Sequence, residues 1–304
     1  MRAFFLKILL LVLLASHTGH AVATPIVLTD DTGRALRLSA PARRIVSLAP
    51  HITETLYAAG AGRYLVGAVS FSDYPPEARA VPRVGDYTRF DLEAILKLKP
   101  DLLIAWAGGN APAQLDRLRT LGLPVFVTQP ERIGDIAAQL ERYGKLAGTE
   151  AVANAAAQAF RARLARLTTM YGGRMPVKVF YQIWNEPLMT VGKPQIITSA
   201  IRVCGGVSIF GHLDALAPTV NLEAVLAANP EAIVATGMAD ARPEWLDDWK
   251  RWPRLTAVAR NNLFHIDPDI IQRHAPRLLD GTERLCYLLE TARARIRKPG
   301  KEKE

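Results

Sequence analysis

The chain states one short pattern twice, and this repetition restricts the possible folds more than any other feature. Asp91-Leu92-Glu93-Ala94-Ile95-Leu96 runs through Pro100-Asp101 into Leu102-Leu103-Ile104-Ala105. Asn221-Leu222-Glu223-Ala224-Val225-Leu226 runs through Pro230-Glu231 into Ala232-Ile233-Val234-Ala235, at a constant offset of 130 residues. Leu92, Ile95 and Leu96, like Leu222, Val225 and Leu226, follow the i, i+3, i+4 spacing of a helix face. Pro100 and Pro230 cannot continue a helix, and each precedes an apolar run of strand length. Two copies this far apart are not a solenoid repeat. They predict two similar α/β lobes, each showing one glutamate, Glu93 or Glu223, at the same place on its surface.

The rest of the chain fits two lobes, and 304 residues are enough for two medium domains. Residues 26–38 alternate apolar and polar side chains around Asp30-Asp31-Thr32-Gly33, the pattern of a hairpin. A first core strand is expected at 43–48, then a helix with Thr53 as N-cap and Glu54 in its first turn. Further strands are expected at 65–69, 102–106, 125–128, 177–181, 232–235 and 263–266, with helices between them. Such alternation implies parallel sheets covered by helices on both faces. Residues 150–170 are alanine-rich and free of proline and glycine, so they predict a rigid helix linking the lobes. Ligands of such folds bind at the C-terminal ends of strands. Phe71, Tyr74, Trp106 and Trp184 all fall in loops of that kind. The expected organisation is therefore a removable leader at 1–23, an N-terminal lobe at 24–147, the linking helix at 148–172, a C-terminal lobe at 173–297 and a basic tail at 298–304. The fold class is α/β: two Rossmann-like lobes with parallel sheets, one long joining helix and a cleft between them.

The two ends bear on location. Arg2 and Lys7 precede the apolar run 8–15, and Ala21-Val22-Ala23 offers a small-x-small cleavage site. This predicts a secretory signal peptide, cut after Ala23, and an exported protein. No cysteine comes after the apolar run at the leader's end, which argues against a lipid anchor. The chain has two cysteines, Cys204 and Cys286, and an even count in an exported chain invites pairing. Two buried free thiols are the alternative. No Cys-x-x-Cys or close Cys/His spacing points to a metal.

Composition narrows the function by exclusion. The formal charge of +9 is spread along the chain, with Arg2 and Lys7 in the expected leader and basic residues crowding the C-terminus, and no basic stripe is interleaved with aromatics. No nucleic-acid partner is expected. The chain has no Gly-x-Ser-x-Gly elbow, Walker loop, Gly-x-Gly-x-x-Gly turn or His-Glu-x-x-His pair, so the expectation is a binding protein without catalytic residues or cofactor.

Several longer segments carry a family resemblance. They are Ser47-Leu48-Ala49-Pro50 with Thr53-Glu54, Ser72-Asp73-Tyr74-Pro75-Pro76, Leu92-Glu93, Leu98-Lys99-Pro100-Asp101-Leu102, and Ala105-Trp106 with Gly108-Gly109-Asn110. The second lobe adds Val203-Cys204-Gly205-Gly206 with Ile209-Phe210, Glu223, and Arg273 with Pro276-Arg277. Over nearly the whole mature length the chain resembles the periplasmic substrate-binding proteins of ABC importers in which one helix joins two lobes. The likeness is strongest to their cobalamin-binding members. It implies a monomer that captures cobalamin or a related corrinoid and passes it to a permease in the inner membrane. Carried over by position, the ligand site comprises Phe71, Tyr74, Tyr87, Trp106, Asn110, the loop around Trp184, and the turn Asp269, Ile270, Ile271, Gln272 and Arg273. Glu93 and Glu223 would dock onto permease arginines. A corrinoid is a wide, mostly apolar disc rimmed with amides. Aromatic walls suit its faces, while Asn110, Asp269 and Arg273 suit its rim. No protein metal ligand is required, because the cobalt arrives ligated.

Each assignment has a plainer counterpart. Glu93 and Glu223 are also first-turn residues favoured by the helix dipole. Trp106 can be a strand-end core residue, and Tyr74 can pack on Pro75 and Pro76. Trp245 and Trp249, four apart in an expected helix, share one helix face and are expected to pack with Trp252. His51, directly after Pro50 at a strand end, faces the expected cleft and is a candidate for ligand or iron-chelate contact, or simply a residue at a helix start. His265 and His274 are expected to be structural. Two other functions fit the same architecture: a carrier for a ferric siderophore or haem, and a ligand sensor for a membrane receptor.

Overall fold

The computed structural model describes residues 25–237 and 242–297. The expected signal segment and basic tail lie outside the described residues. Strands β1 (Ile26–Thr29) and β2 (Ala35–Leu38) form the hairpin. Asp30 fixes its turn by accepting from the backbone N–H groups of Thr32 and Arg34 at 2.9 and 3.0 Å.

The remaining strands form two four-stranded sheets, and every pairing within them is parallel. The first contains β3 (Ile45–Ser47), β4 (Leu65–Ala68), β5 (Leu102–Trp106) and β6 (Val125–Thr128) in the order β4-β3-β5-β6. The second contains β7 (Val177–Gln182), β8 (Gly206–Ser208), β9 (Ala232–Ala235) and β10 (Leu263–His265) in the order β10-β9-β7-β8. In chain order both sheets run second, first, third, fourth. Each therefore reverses direction between its first and third strands. Loops leaving those two strands part to opposite faces and open a crevice at the strands' C-terminal ends.

The repeated segments match down to their backbone. Asp91 caps Leu92–Lys97 by accepting from Ala94 N–H at 2.9 Å, and Asn221 caps Leu222–Ala228 by accepting from Ala224 N–H at 2.8 Å. Eight residues after each cap, Lys99 and Asn229 take the left-handed conformation, with φ of 45° and 43°. The next carboxylates tie each unit to its sheet. Asp101 accepts from the N–H groups of Arg43 and Arg44, and Glu231 accepts from that of Lys178.

The linking helix, Glu150–Tyr171, has 22 residues and so spans about 33 Å. It packs on Asp135–Ala147. A glycine at 144 makes that approach possible, because a Cβ there would lie 2.3 Å from the Ala153 methyl. Further along, Arg163 pairs with Asp280 and Glu283 of the last helix, Leu278–Arg297. One apolar core runs without a break through both lobes on this side, and separate clusters fill the outer face of each lobe. Cys204 and Cys286 form a disulfide across a sequence separation of 82. Closing a loop of that size is worth about 4 kcal/mol by the chain-entropy argument.

Three local expectations need correction. The first core helix is Pro50–Ala58, with extended Ala49 before it and proline at its first position, so Thr53 is not its cap. Thr53 Oγ1 instead bonds Ser47 Oγ at 2.8 Å and Ser72 Oγ at 3.1 Å inside the lobe. The tryptophan-rich segment Glu244–Arg251 is a 3-10 helix, where residues four apart do not share a face. Trp245, Trp249 and Trp252 still pack into the outer core of the second lobe. The turn expected to carry Asp269 to Arg273 begins as a short helix, Pro268–Ile271, capped by Asp267.

Candidate ligand cleft

Loops from the two direction-reversal points meet around a cleft of about 460 Å³. Its first wall carries Pro50 and His51 after β3, Phe71 after β4, Tyr87, and Trp106 at the end of β5. Its second wall carries Ile183 and Trp184 after β7, Gly237 after β9, and Pro268, Asp269, Gln272, Arg273 and His274 after β10. A larger hollow of about 590 Å³ lies around Lys178 and Arg202, but only the second lobe lines it, and Lys178 sits near the start of β7.

The turn after Trp106 sets the position of its ring. The indole folds back over Gly108 and Gly109, where a Cβ at 109 would fall 2.2 Å from the ring. Asn110 pins the turn: its Oδ1 accepts from Trp106 N–H at 2.7 Å, and its Nδ2 donates to Leu48 O at 2.9 Å and Tyr87 O at 2.7 Å. One buried amide thus anchors two wall aromatics. Phe71 sits at φ 64°, a left-handed conformation uncommon for a bulky residue, and remains 70% exposed. Tyr87 and Trp184 are also exposed, so the walls present apolar faces to solvent.

A charged clasp joins the lobes beside the cleft. Glu54, 3% exposed on the first core helix, receives Arg277 as a fork, with Nε to Oε2 at 2.9 Å and Nη2 to Oε1 at 2.7 Å. Arg273 Nη1 donates to the same carboxylate at 3.0 Å and to Asp73 Oδ1 at 2.7 Å, while its Nη2 lies 3.0 Å from Asp269 Oδ1. The Arg277 guanidinium lies 3.6 Å from the ring centre of Tyr74. Burial opposes the charge on both arginines, yet their carboxylate partners win and hold both more basic than usual. Burial likewise opposes ionisation of Asp73, but the Arg273 hydrogen bond and charge prevail and hold it below the ordinary carboxylate range.

Two imidazoles, one from each lobe, lie at the cleft: His51 is 5% exposed and His274 is 3% exposed. Their ring centres are 5.4 Å apart, and Trp106 meets both nearly edge-on, at 5.2 Å and 5.7 Å. Burial pushes His274 down to about 4. Burial, then His274, then the Arg273 charge hold His51 well below its ordinary value. Both rings are therefore neutral at pH 7.

The structure brings Phe71, Tyr87, Trp106, Trp184, Asp269, Gln272 and Arg273 together at the cleft. Four candidates lie elsewhere. Asn110 spends its amide on the turn beneath the wall, so it is not free to meet a ligand's rim. Tyr74 stacks on Arg277 in the clasp. Ile271 is fully buried, and Ile270 packs partly buried against the same core. Sequence reasoning missed Ile183, gave His51 only a minor place, left Glu54 out of the site and read His274 as structural. The position of His51 directly after a strand-end proline was a usable local signal. No local signal links His274 to it, because the pairing joins residues of different lobes. Glu93 and Glu223 are exposed and stand outside the cleft. No cluster of three metal-ligating side chains exists among the described residues.

Comparison with known proteins agrees with this architecture. Residues 45–270 match the periplasmic binding protein family. The vitamin B12-binding protein of Vibrio cholerae serotype O1 is 38% identical over 253 residues, covering 83% of this chain and 91% of that protein. That of Yersinia pestis is 33% identical, covering 81% of this chain and 85% of its own length. The crystal structure of the periplasmic vitamin B12 binding protein BtuF of Vibrio cholerae superposes with a TM-score of 0.77 at 36% identity, over 83% of this chain and 98% of that one. The periplasmic heme-binding protein RhuT from Roseiflexus shares the fold at 23% identity, with a TM-score of 0.72 over 82% of this chain and 99% of its own. With its two parallel-sheet lobes and joining helix, the chain belongs to the periplasmic binding proteins, a family of substrate carriers and not of enzymes.

Proposed function

We propose that this protein captures cobalamin or a related corrinoid in the cleft and delivers it to an ABC permease of the inner membrane. The observation that carries this reading is the convergence of Phe71, Tyr87, Trp106, Ile183 and Trp184 on one opening between the lobes. Such walls bury the apolar faces of a flat, wide ligand, while Asp269 and Gln272 suit amides at its rim. The likeness to vitamin B12-binding proteins supports the same ligand.

Residues 1–23 act as a signal peptide, and the mature protein works as a monomer. Glu93 and Glu223, exposed at matching places on the two lobes, are the contacts for the permease. A pair of like contacts from repeated lobes suits a partner with two-fold symmetry. The continuous core and the linking helix favour small lobe movements over wide hinge closure.

Titration of the purified protein with cyanocobalamin, haemin and a ferric siderophore, monitored by calorimetry, tests the ligand. Cyanocobalamin is expected to bind at one-to-one stoichiometry and to be lost in Trp106→Ala. Binding of an iron chelate without cyanocobalamin would replace the corrinoid with that chelate.

A further inference from the structure

The positive charge at the cleft is already paired within the protein. Arg273 is the only cationic side chain among the described residues that line the cleft, since burial keeps both imidazoles there neutral at pH 7. Its Nη1 donates to Glu54 Oε1 and Asp73 Oδ1, and its Nη2 lies 3.0 Å from Asp269 Oδ1, so both tips of the guanidinium face carboxylates. The neighbouring cation, Arg277, is forked on Glu54 and stacked on Tyr74. Glu54, Asp73 and Asp269 thus face Arg273 and Arg277: three carboxylates to two guanidinium groups, an excess of one negative charge at this edge of the cleft.

The geometry holds that balance in place. To turn toward a ligand, Arg273 would have to leave Glu54, a buried carboxylate on the opposite lobe, and separating a buried ion pair is costly. Asp269 is placed differently. Its side chain is half exposed and lines the cleft, so it meets a ligand's rim as a hydrogen-bond acceptor. A rim amide brings an N–H to that acceptor. A rim carboxylate at the same place brings no donor and sets a like charge beside Asp269, and the one cation within reach already serves three carboxylates.

We propose that this edge selects ligands by rim charge: it accepts neutral amides and refuses carboxylates, with Asp269 as the selecting residue. Glu54 and Asp73 are positioning residues, because they act through Arg273 by keeping its charge from the ligand. The proposal rests on the reading of the cleft as a corrinoid site and narrows it to corrinoids whose rim groups at this edge are amides. Such selectivity comes from repelling the wrong ligand as much as from attracting the right one.

The test compares cyanocobalamin with its monocarboxylic acids, in each of which one rim amide is hydrolysed, by calorimetry at pH 7 and low ionic strength, where charge effects are least screened. The acid whose carboxylate meets Asp269 is expected to bind at least fivefold more weakly than cyanocobalamin. Asp269→Asn removes the excess negative charge and is expected to bring that ratio below fivefold. A merely structural role for Asp269 would weaken both ligands together and leave the ratio where it was. Should Asp269→Asn fail to fold, Asp73→Asn, which removes the same excess charge from the opposite lobe, carries the same readout. If none of the acids binds the native protein as much as fivefold more weakly than cyanocobalamin, or if the ratio stays at fivefold or above in the folded variant, the charge selection is overturned and the corrinoid reading stands. Failure of the native protein to bind cyanocobalamin would overturn both.

Discussion

The crowns of the two lobes and the junction between them use the same residue in opposite ways. Glu93 and Glu223 stand exposed on repeated helices, and the only ion pair either makes among the described residues is that of Glu93 with Lys97 at 2.7 Å, where both side chains are more than 70% exposed. Glu54 sits under Arg273 and Arg277 with 2% of its side chain exposed. Water screens the first group, so its charges contribute little to folding and remain free for a partner. Desolvation makes the second group unforgiving: removing one member strands the others. The crowns themselves also differ. Lys97 lies one helical turn after Glu93, whereas Ala227 holds the equivalent place after Glu223. The repeat is thus symmetric in backbone but not in charge.

The largest test of that contrast is Glu54→Ala. It leaves two guanidinium groups short of their shared carboxylate and is expected to destabilise the protein by about 3–5 kcal/mol in urea unfolding. Glu93→Ala and Glu223→Ala should each fall within about 0.5 kcal/mol of the native protein. A Glu54→Ala cost below that of the crown variants would break the contrast.

Acid comes next. His274 titrates near 4 in the folded protein, against an ordinary value of 6.5. Between these values the unfolded chain binds more protons than the folded one, so stability is present above pH 6.5 and is lost as pH falls toward 4. That shift corresponds to about 3 kcal/mol for His274, and His51 acts in the same direction. His274→Phe should flatten the slope of unfolding free energy against pH in this window. An unchanged slope would remove the buried pair as its source.

On the crowns the expected effects are kinetic. Glu223→Lys and Glu93→Lys should slow association with the permease severalfold at low salt and leave ligand affinity unchanged, as read by uptake and by binding. Glu223→Ala should matter more than Glu93→Ala, because Lys97 already offsets part of the Glu93 charge. The smallest effect sharpens this point. Lys97→Ala should cost no more than about 0.5 kcal/mol of stability, yet bring the sensitivity at position 93 up to that at 223.

Local features were legible in the sequence wherever the chain neighbours of a residue fix its state. Asp91 and Asn221 each cap a helix through an N–H three residues on, and Pro100 and Pro230 lie just past the helix ends, so the two lobes emerge from the repeat. Trp106 was legible because Gly108 and Gly109, close behind it, leave room for its ring. The tryptophan segment went the other way: spacing of four suggested an α-helical face, but the chain there winds as a 3-10 helix, and only packing decides which rings are buried.

Periodicity, capping and proline stops act over a few residues, and they were enough to specify the twin α/β lobes, the linking helix, the crown glutamates and the loops that reach the cleft. Which of those loop residues face one another is a property of the assembled lobes alone. Glu54 meets Arg273 and Arg277 from more than 200 residues away, and His51 meets His274 across the same junction. Tyr74 and Asn110, in loops that looked equally exposed, were drawn into the clasp and the turn instead. Burial and charge pairing between lobes depend on how two separate sheets are set against each other, and no local spacing encodes that setting.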